Sequence, residues 1–195
     1  RGSSGLVWLG VVGAFLIASV LAYPVGRESG RDDGTLQPTA AIEILEAKAA
    51  FSFDPEGDDP TENDGTTGLA IDGDPSTGWR TSTYLGNPEL GGLKDGVGLI
   101  VDLGSAHEVE QVRLRFEGAP TDFSIYTAKS TRQDLPERLS DLSDVATVNS
   151  SGADAVVALP AGTFTRYVVV WLRSLPEVKP GEFRGEIRGV AIRGR

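Results

Sequence analysis

Beyond residue 40, no stretch of this chain carries apolar residues at helical spacing for more than a few turns, while several short runs carry them at every second position. Such a chain can bury its apolar side chains only in layered strands. Val112, Leu114 and Phe116 alternate with Arg113 and Arg115, the pattern of a strand with one buried face. Phe123 and Ile125 repeat it, and so, more faintly, do Val157 and Leu159. Ile42 to Glu46 opens the series, and Gly98 to Leu103 is a nearly continuous apolar run. Phe164 to Leu172, rich in β-branched and aromatic residues, reads as a central strand. Near the end, Ile187 is out of phase with Val190 and Ile192 across Gly189, which reads as a bulge. The fold class expected is all-β, a β-sandwich over residues 41–195.

The first forty residues differ in kind. Leu6 to Tyr23 is uncharged, with Ser19 its one polar side chain. At about 1.5 Å per residue it just spans a bilayer core of roughly 30 Å, with Trp8 and Tyr23 near the two interfaces and Pro24 as the stop. A single transmembrane helix over 6–23 is expected, after a cytoplasmic flank 1–5 and before a flexible Gly/Pro-containing linker 24–40. A cleaved signal peptide ending at Val20-Leu21-Ala22 is the rival reading. Gly10, Ala14, Ala18 and Ala22 form a small-residue stripe on which another transmembrane helix could pack. Arg1, Arg27 and Arg31 do not fix the orientation, because the rule needs the basic residues of both flanks. With no methionine at any position, the chain reads as a fragment of a larger protein.

A formal net charge of -10 and the lack of a basic cluster argue against nucleic acid as a partner. The absence of cysteine removes disulfides, thiolate zinc sites and a thiol nucleophile. The densest chemistry lies in Ala70-Ile71-Asp72-Gly73-Asp74-Pro75-Ser76-Thr77-Gly78-Trp79-Arg80-Thr81. Asp-Gly and Asp-Pro are turn dipeptides, so this stretch folds tightly and gathers hard oxygens of the kind calcium takes. Trp79 anchors it to the core. An ordinary acidic turn is the plainer alternative, and no EF-hand register fits. Asp54 to Gly65 carries six acids and reads as loop, by default a solvated face, with a contribution to a cation site as the alternative.

The strand pattern, the Ala70–Trp79 stretch and the closing Glu186-Ile187-Arg188-Gly189-Val190-Ala191-Ile192-Arg193-Gly194 together resemble the discoidin, or coagulation factor 5/8 type C, family. More narrowly, Phe53–Asp58, Trp79–Tyr84 and Gly91–Leu99 look like one actinobacterial branch. There the domain sits outside the cell after a single transmembrane helix, on pseudokinase-containing relatives of the lipid II flippase or on serine/threonine kinases. The resemblance implies a galactose-binding-like jelly roll displayed outside the cell membrane. It also implies a structural Ca2+ held by the Ala70 carbonyl, Asp72, Asp74 and Thr77. A Glu of the last strand usually completes that site; Gly189 stands at its position, leaving Glu186 as the nearby substitute.

Sugar-binding relatives place aromatic and polar residues on loops at one end of the sandwich. Tyr84 in the loop Thr83–Pro88 is the candidate platform, with Arg80, Asn87 and Lys94 as polar partners, while Trp79 and Trp171 are expected in the core. Catalysis has little support. His107 is alone in a polar turn, no Gly-x-Ser-x-Gly elbow occurs, and the glycines of Gly91 to Gly98 lack a phosphate-loop ending and shape a hairpin or a lid. The function expected is a non-catalytic module that recognises cell-wall glycan or a peptidoglycan precursor. A structural domain packing on a membrane partner is the alternative.

Overall fold

The computed structural model describes residues 41–129 and 131–195. The proposed membrane helix, its small-residue stripe and the linker lie outside the described residues. Among those described, no helix is long and apolar enough to cross a membrane.

Among the described residues, twelve strands, all paired antiparallel, build the sheets. They are β1 (Glu43–Leu45), β2 (Ala49–Phe53), β3 (Trp79–Arg80), β4 (Tyr84–Leu85), β5 (Val97–Phe116), β6 (Thr121–Ala128), β7 (Leu142–Ser151), β8 (Asp154–Ala158), β9 (Phe164–Ser174), β10 (Glu177–Lys179), β11 (Glu182–Phe183) and β12 (Glu186–Gly194). Helical structure among the described residues is limited to 3-10 turns at Asp64–Ala70, Leu90–Gly92 and Leu139–Asp141.

β5 organises the sandwich. Its first part, Val97 to Asp102, pairs with β2 and β9, and β6 and β7 continue that sheet in the order β2-β5-β9-β6-β7. Its last part, Val109 to Phe116, pairs with β12 and β8 in the second sheet, whose far edge is closed by β1 and β3 on β12. The strand bends at the register shift between Asp102 and His107, still pairs with β9 at His107 and Glu108, and joins the second sheet from Val109. Gly104, at φ 80°, takes a backbone conformation at this corner that a side chain resists, and its N–H donates to Asp102 Oδ1 at 2.7 Å. His107 was expected in a turn; it sits inside β5, because ladder bonds on both sides carry the chain through the corner.

The inward residues follow the sequence alternation: Val112, Leu114 and Phe116 face the inter-sheet core with Leu99, Val101, Val168, Val170, Leu172, Ile187 and Trp79. The continuous apolar runs have a second cause. Ile100, Val169 and Trp171 point to the opposite face of the first sheet, where they pack with Phe53 and Tyr167 beneath Leu135, Leu139 and Leu142. That sheet is buried on both sides, so its central strands need apolar residues at every position. The bulge expected at Gly189 is present as the register shift between Ile187 and Gly189.

Candidate functional site

The loop after β2, strand β4 with the two residues before it, and the segment from the 3-10 turn Leu90–Gly92 to Lys94 line a cavity of about 830 Å³. Asp54, at the end of β2, and Glu62, just before the first 3-10 turn, reach it from one side; Lys94, just before β5, reaches it from the other. Lys94 Nζ stands 2.6 Å from Asp54 Oδ2 and 3.4 Å from Glu62 Oε2, and all three side chains are less than one-tenth exposed. Its ammonium also lies 5.4 Å from the centre of the Tyr84 ring. Tyr84 Oη donates to Glu62 Oε2 at 3.5 Å, the Ser82 N–H donates to Glu62 Oε1, and Trp79 Nε1 donates to the Glu62 carbonyl at 2.7 Å. The fully buried Trp79 thus fixes the backbone that carries Glu62.

Two carboxylates share one ammonium in this cluster, and Asp54 Oδ1 is buried without a hydrogen-bond partner among the described residues. Burial pushes the Asp54 carboxyl above the ordinary carboxylate range, and the hydrogen bond from Lys94 only partly offsets it. Burial alone would lower the Lys94 pKa, but its hydrogen bonds to Asp54 and Tyr84 hold it above the ordinary lysine value. Burial raises the Tyr84 phenol as well. Glu56, Asp58 and Asp59 line the remainder, so five carboxyl groups face one ammonium. Leu85 and Leu93, 70% and 80% exposed, stand at the same cavity as its apolar surface.

Of the four residues expected to hold a ligand, Tyr84 and Lys94 line this cavity, whereas Arg80 and Asn87 do not. Tyr84 is 7% exposed and is not the open stacking platform expected of a loop residue. It belongs to β4, where pairing with Phe183 turns its ring inward onto Lys94. Arg80 is drawn away by Glu186, with Nε 2.7 Å from Oε2. Asn87 caps its own turn, Oδ1 accepting the Glu89 N–H at 2.9 Å. Sequence reasoning missed Asp54, Glu62, Leu85 and Leu93. The acidic run had suggested a solvated face, and nothing local marks which of its acids turn inward.

The Asp72 turn gathers most of the oxygens named for calcium. Asp72 Oδ1 accepts the Asp74 N–H and Oδ2 the Thr77 hydroxyl, both at 2.8 Å, and Asp74 Oδ1 accepts the Ser76 N–H at 2.8 Å. The Ser76 hydroxyl, which also donates to Asp74 Oδ1 at 2.6 Å, and the Ser76 N–H hold Asp74 below the ordinary carboxylate range. Glu186 does not join them: burial would raise its pKa, but Arg80 and Arg188 grip the carboxylate and keep it low. The turn therefore offers two carboxylates and a hydroxyl, a thin set for an ion that takes six to eight oxygens. Among the described residues, no three His, Cys, Asp or Glu side chains cluster in a metal-holding group.

No protein-family model matches the chain. Solved structures do. Chitosan-binding module 1 of a chitosanase/glucanase from Paenibacillus sp. IK-5 superposes with a TM-score of 0.55 at 18% identity, over 79% of this chain and 100% of that one. The CBM32 of AlyQ, solved with 4,5-unsaturated mannuronic acid, gives 0.55 at 21% identity over 77% and 97%. The family 32 CBM of NanJ from C. perfringens, solved with galactose, gives 0.50 at 17% identity over 78% and 99%. The likeness shows a shared fold, the discoidin, galactose-binding-like jelly roll.

Proposed function

We propose that this chain is a non-catalytic module that binds a neutral or amino-bearing glycan in the cavity beside Tyr84 and Lys94. The observation that carries the reading is the pairing, at one cavity, of five carboxyl groups with the exposed Leu85 and Leu93. Carboxylates accept hydrogen bonds from neighbouring sugar hydroxyls, and exposed leucine surface covers the C–H face of a pyranose. Excess negative charge favours a protonated amino sugar and repels phosphate, which turns the reading toward a cell-wall glycan rather than a phosphate-bearing precursor. The fold adds support, since the three similar domains are described by a chitosan-binding name or were solved with sugars. In this reading the apolar segment 6–23 tethers the jelly roll to the outer face of a cell membrane, and calcium, where present, braces the Asp72 turn.

The test is retention of the full chain, kept soluble in a sugar-free detergent, on insoluble peptidoglycan and on chitosan, with cellulose as control. Retention on peptidoglycan or chitosan that Leu93→Asp abolishes is the expected result. Equal passage through all three matrices, or retention that Leu93→Asp leaves unchanged, would overturn it. Crosslinking to a membrane protein without retention would support the interaction-domain reading instead.

A further inference from the structure

A second cavity, with no wall residue in common with the first, lies between the Asp72 turn and the outer face of the second sheet. It has a volume of about 210 Å³, the size of one sugar ring or a small organic anion. Its charged wall is basic: Arg113 and Arg115 from β5 and Arg188 from β12, against the single carboxylate of Asp154. Three guanidinium groups at one small cavity stand out in a chain of net charge -10. The cause is local. Arg113 and Arg115 are the outward partners of Val112, Leu114 and Phe116, and the β12 residues directly opposite them are Ala191 and Gly189. Where side chains would otherwise fill the space, an alanine and a glycine leave a trough.

The guanidiniums are unequally engaged. Arg188 is held in place, Nε 3.0 Å from Glu186 Oε1 and Nη1 3.1 Å from Glu117 Oε2. Arg115 meets Asp154 at 3.4 Å, with both side chains about half exposed, an ion pair of the kind that contributes little. Arg113 has no ion-pair partner among the described residues. Ala70, Ile71, Pro75, Val190 and Ala191 give the cavity an apolar floor.

We infer that this cavity binds a small ligand carrying a carboxylate or phosphate on a partly apolar body of sugar-ring size, with Arg113 and Arg115 pairing the oxyanion and Asp154 displaced from Arg115 on binding. Arginine forks match both oxyanions with paired N–H donors, and the apolar floor takes the ligand's carbon face. The site is independent of the acidic cavity, and its failure would leave the glycan reading standing.

Isothermal titration of the full chain with D-glucuronate, inorganic phosphate and, as neutral control, D-glucose tests it. Glucuronate or phosphate should bind saturably, glucose should not, and the affinity should fall with added salt. Arg113→Gln should weaken binding about tenfold or more, the scale of one lost charge-assisted pair. Asp154→Asn should tighten it, a gain that a merely misfolded variant cannot mimic. Binding of glucuronate alone assigns the carboxylate, and of phosphate alone the phosphate. Absence of binding by both anions, or affinities unmoved by both substitutions, would overturn the proposal.

Discussion

Removing the ammonium of Lys94 would leave the buried Asp54 and Glu62 side chains facing each other with no cation beside them. Breaking a buried pair from one side typically costs about 3–5 kcal/mol, because the stranded charge keeps its desolvation penalty. Lys94→Met should therefore lower unfolding free energy by roughly 3 kcal/mol, read as a shifted urea midpoint; an unchanged midpoint would contradict the cluster. Asp102 presents the opposite balance. Arg166 grips it through two bonds, Nε to Oδ1 at 2.7 Å and Nη2 to Oδ2 at 2.8 Å, and holds its carboxyl below the ordinary value of 3.8. The folded state thus binds that proton less readily than the unfolded chain. Its contribution is complete above pH 3.8 and disappears as pH falls through the lower folded value. Asp54, raised by burial, has the reverse sign: its ionisation weakens the fold, and acid relieves that strain. Asp102→Asn should accordingly flatten the loss of stability below pH 4, with a penalty of about 2 kcal/mol at pH 7. An acid limb as steep as that of the unaltered chain would refute this assignment. None of these pairings was legible locally, since Asp102 and Arg166 meet only across the β5–β9 ladder.

At the scale of elements, two glycines, one leading into β5 and one within the neighbouring β12, make a controlled contrast. A Cβ at Gly96, just before β5, would overlap the Trp171 indole, whereas one at Gly189 would meet only the Arg115 Cβ, at 3.7 Å. Gly96→Ala should destabilise by roughly 1–3 kcal/mol as an overpacked core. Gly189→Ala should stay within about 0.5 kcal/mol, and thermal melts of the two variants side by side decide the matter. The strands themselves were largely readable, because period-two alternation is a local property of each run. β9 emerged as a central strand and β12 with its bulge, both as expected. The two-sheet course of β5 was not readable, since a change of partner leaves little trace in the strand's own residues. Nor was β4, two residues that are a strand only because β11 pairs with them.

On the scale of the whole molecule, the cover over the second face of the first sheet decides stability as much as the inter-sheet core does. Leu135 and Leu139 close over Ile100, Tyr167 and Val169, so changing both leucines to serine should lower the melting temperature by several degrees while leaving the inter-sheet core intact. The proposed calcium at the Asp72 turn would act at this scale too. At tenfold excess over its Kd it would stabilise the fold by about 1.4 kcal/mol, a melting rise of a few degrees that Asp72→Ala should abolish. Identical melting curves in calcium and in chelator would exclude the ion.

The sequence by itself determined that residues 41–195 would be strands in layers, that Trp79 would be buried behind an oxygen-rich turn, and where Gly189 would break the phase of the last strand. Each of these follows from neighbours along the chain, from periodicity, turn chemistry or the size of an indole. Only the tertiary structure decided that Tyr84 turns inward, that Glu186 goes to arginine, and that Asp54 and Glu62 leave the acidic run to share Lys94. Those outcomes pair residues up to 106 positions apart, such as Arg80 with Glu186. A charge finds its partner through the fold's geometry, which local patterning does not encode.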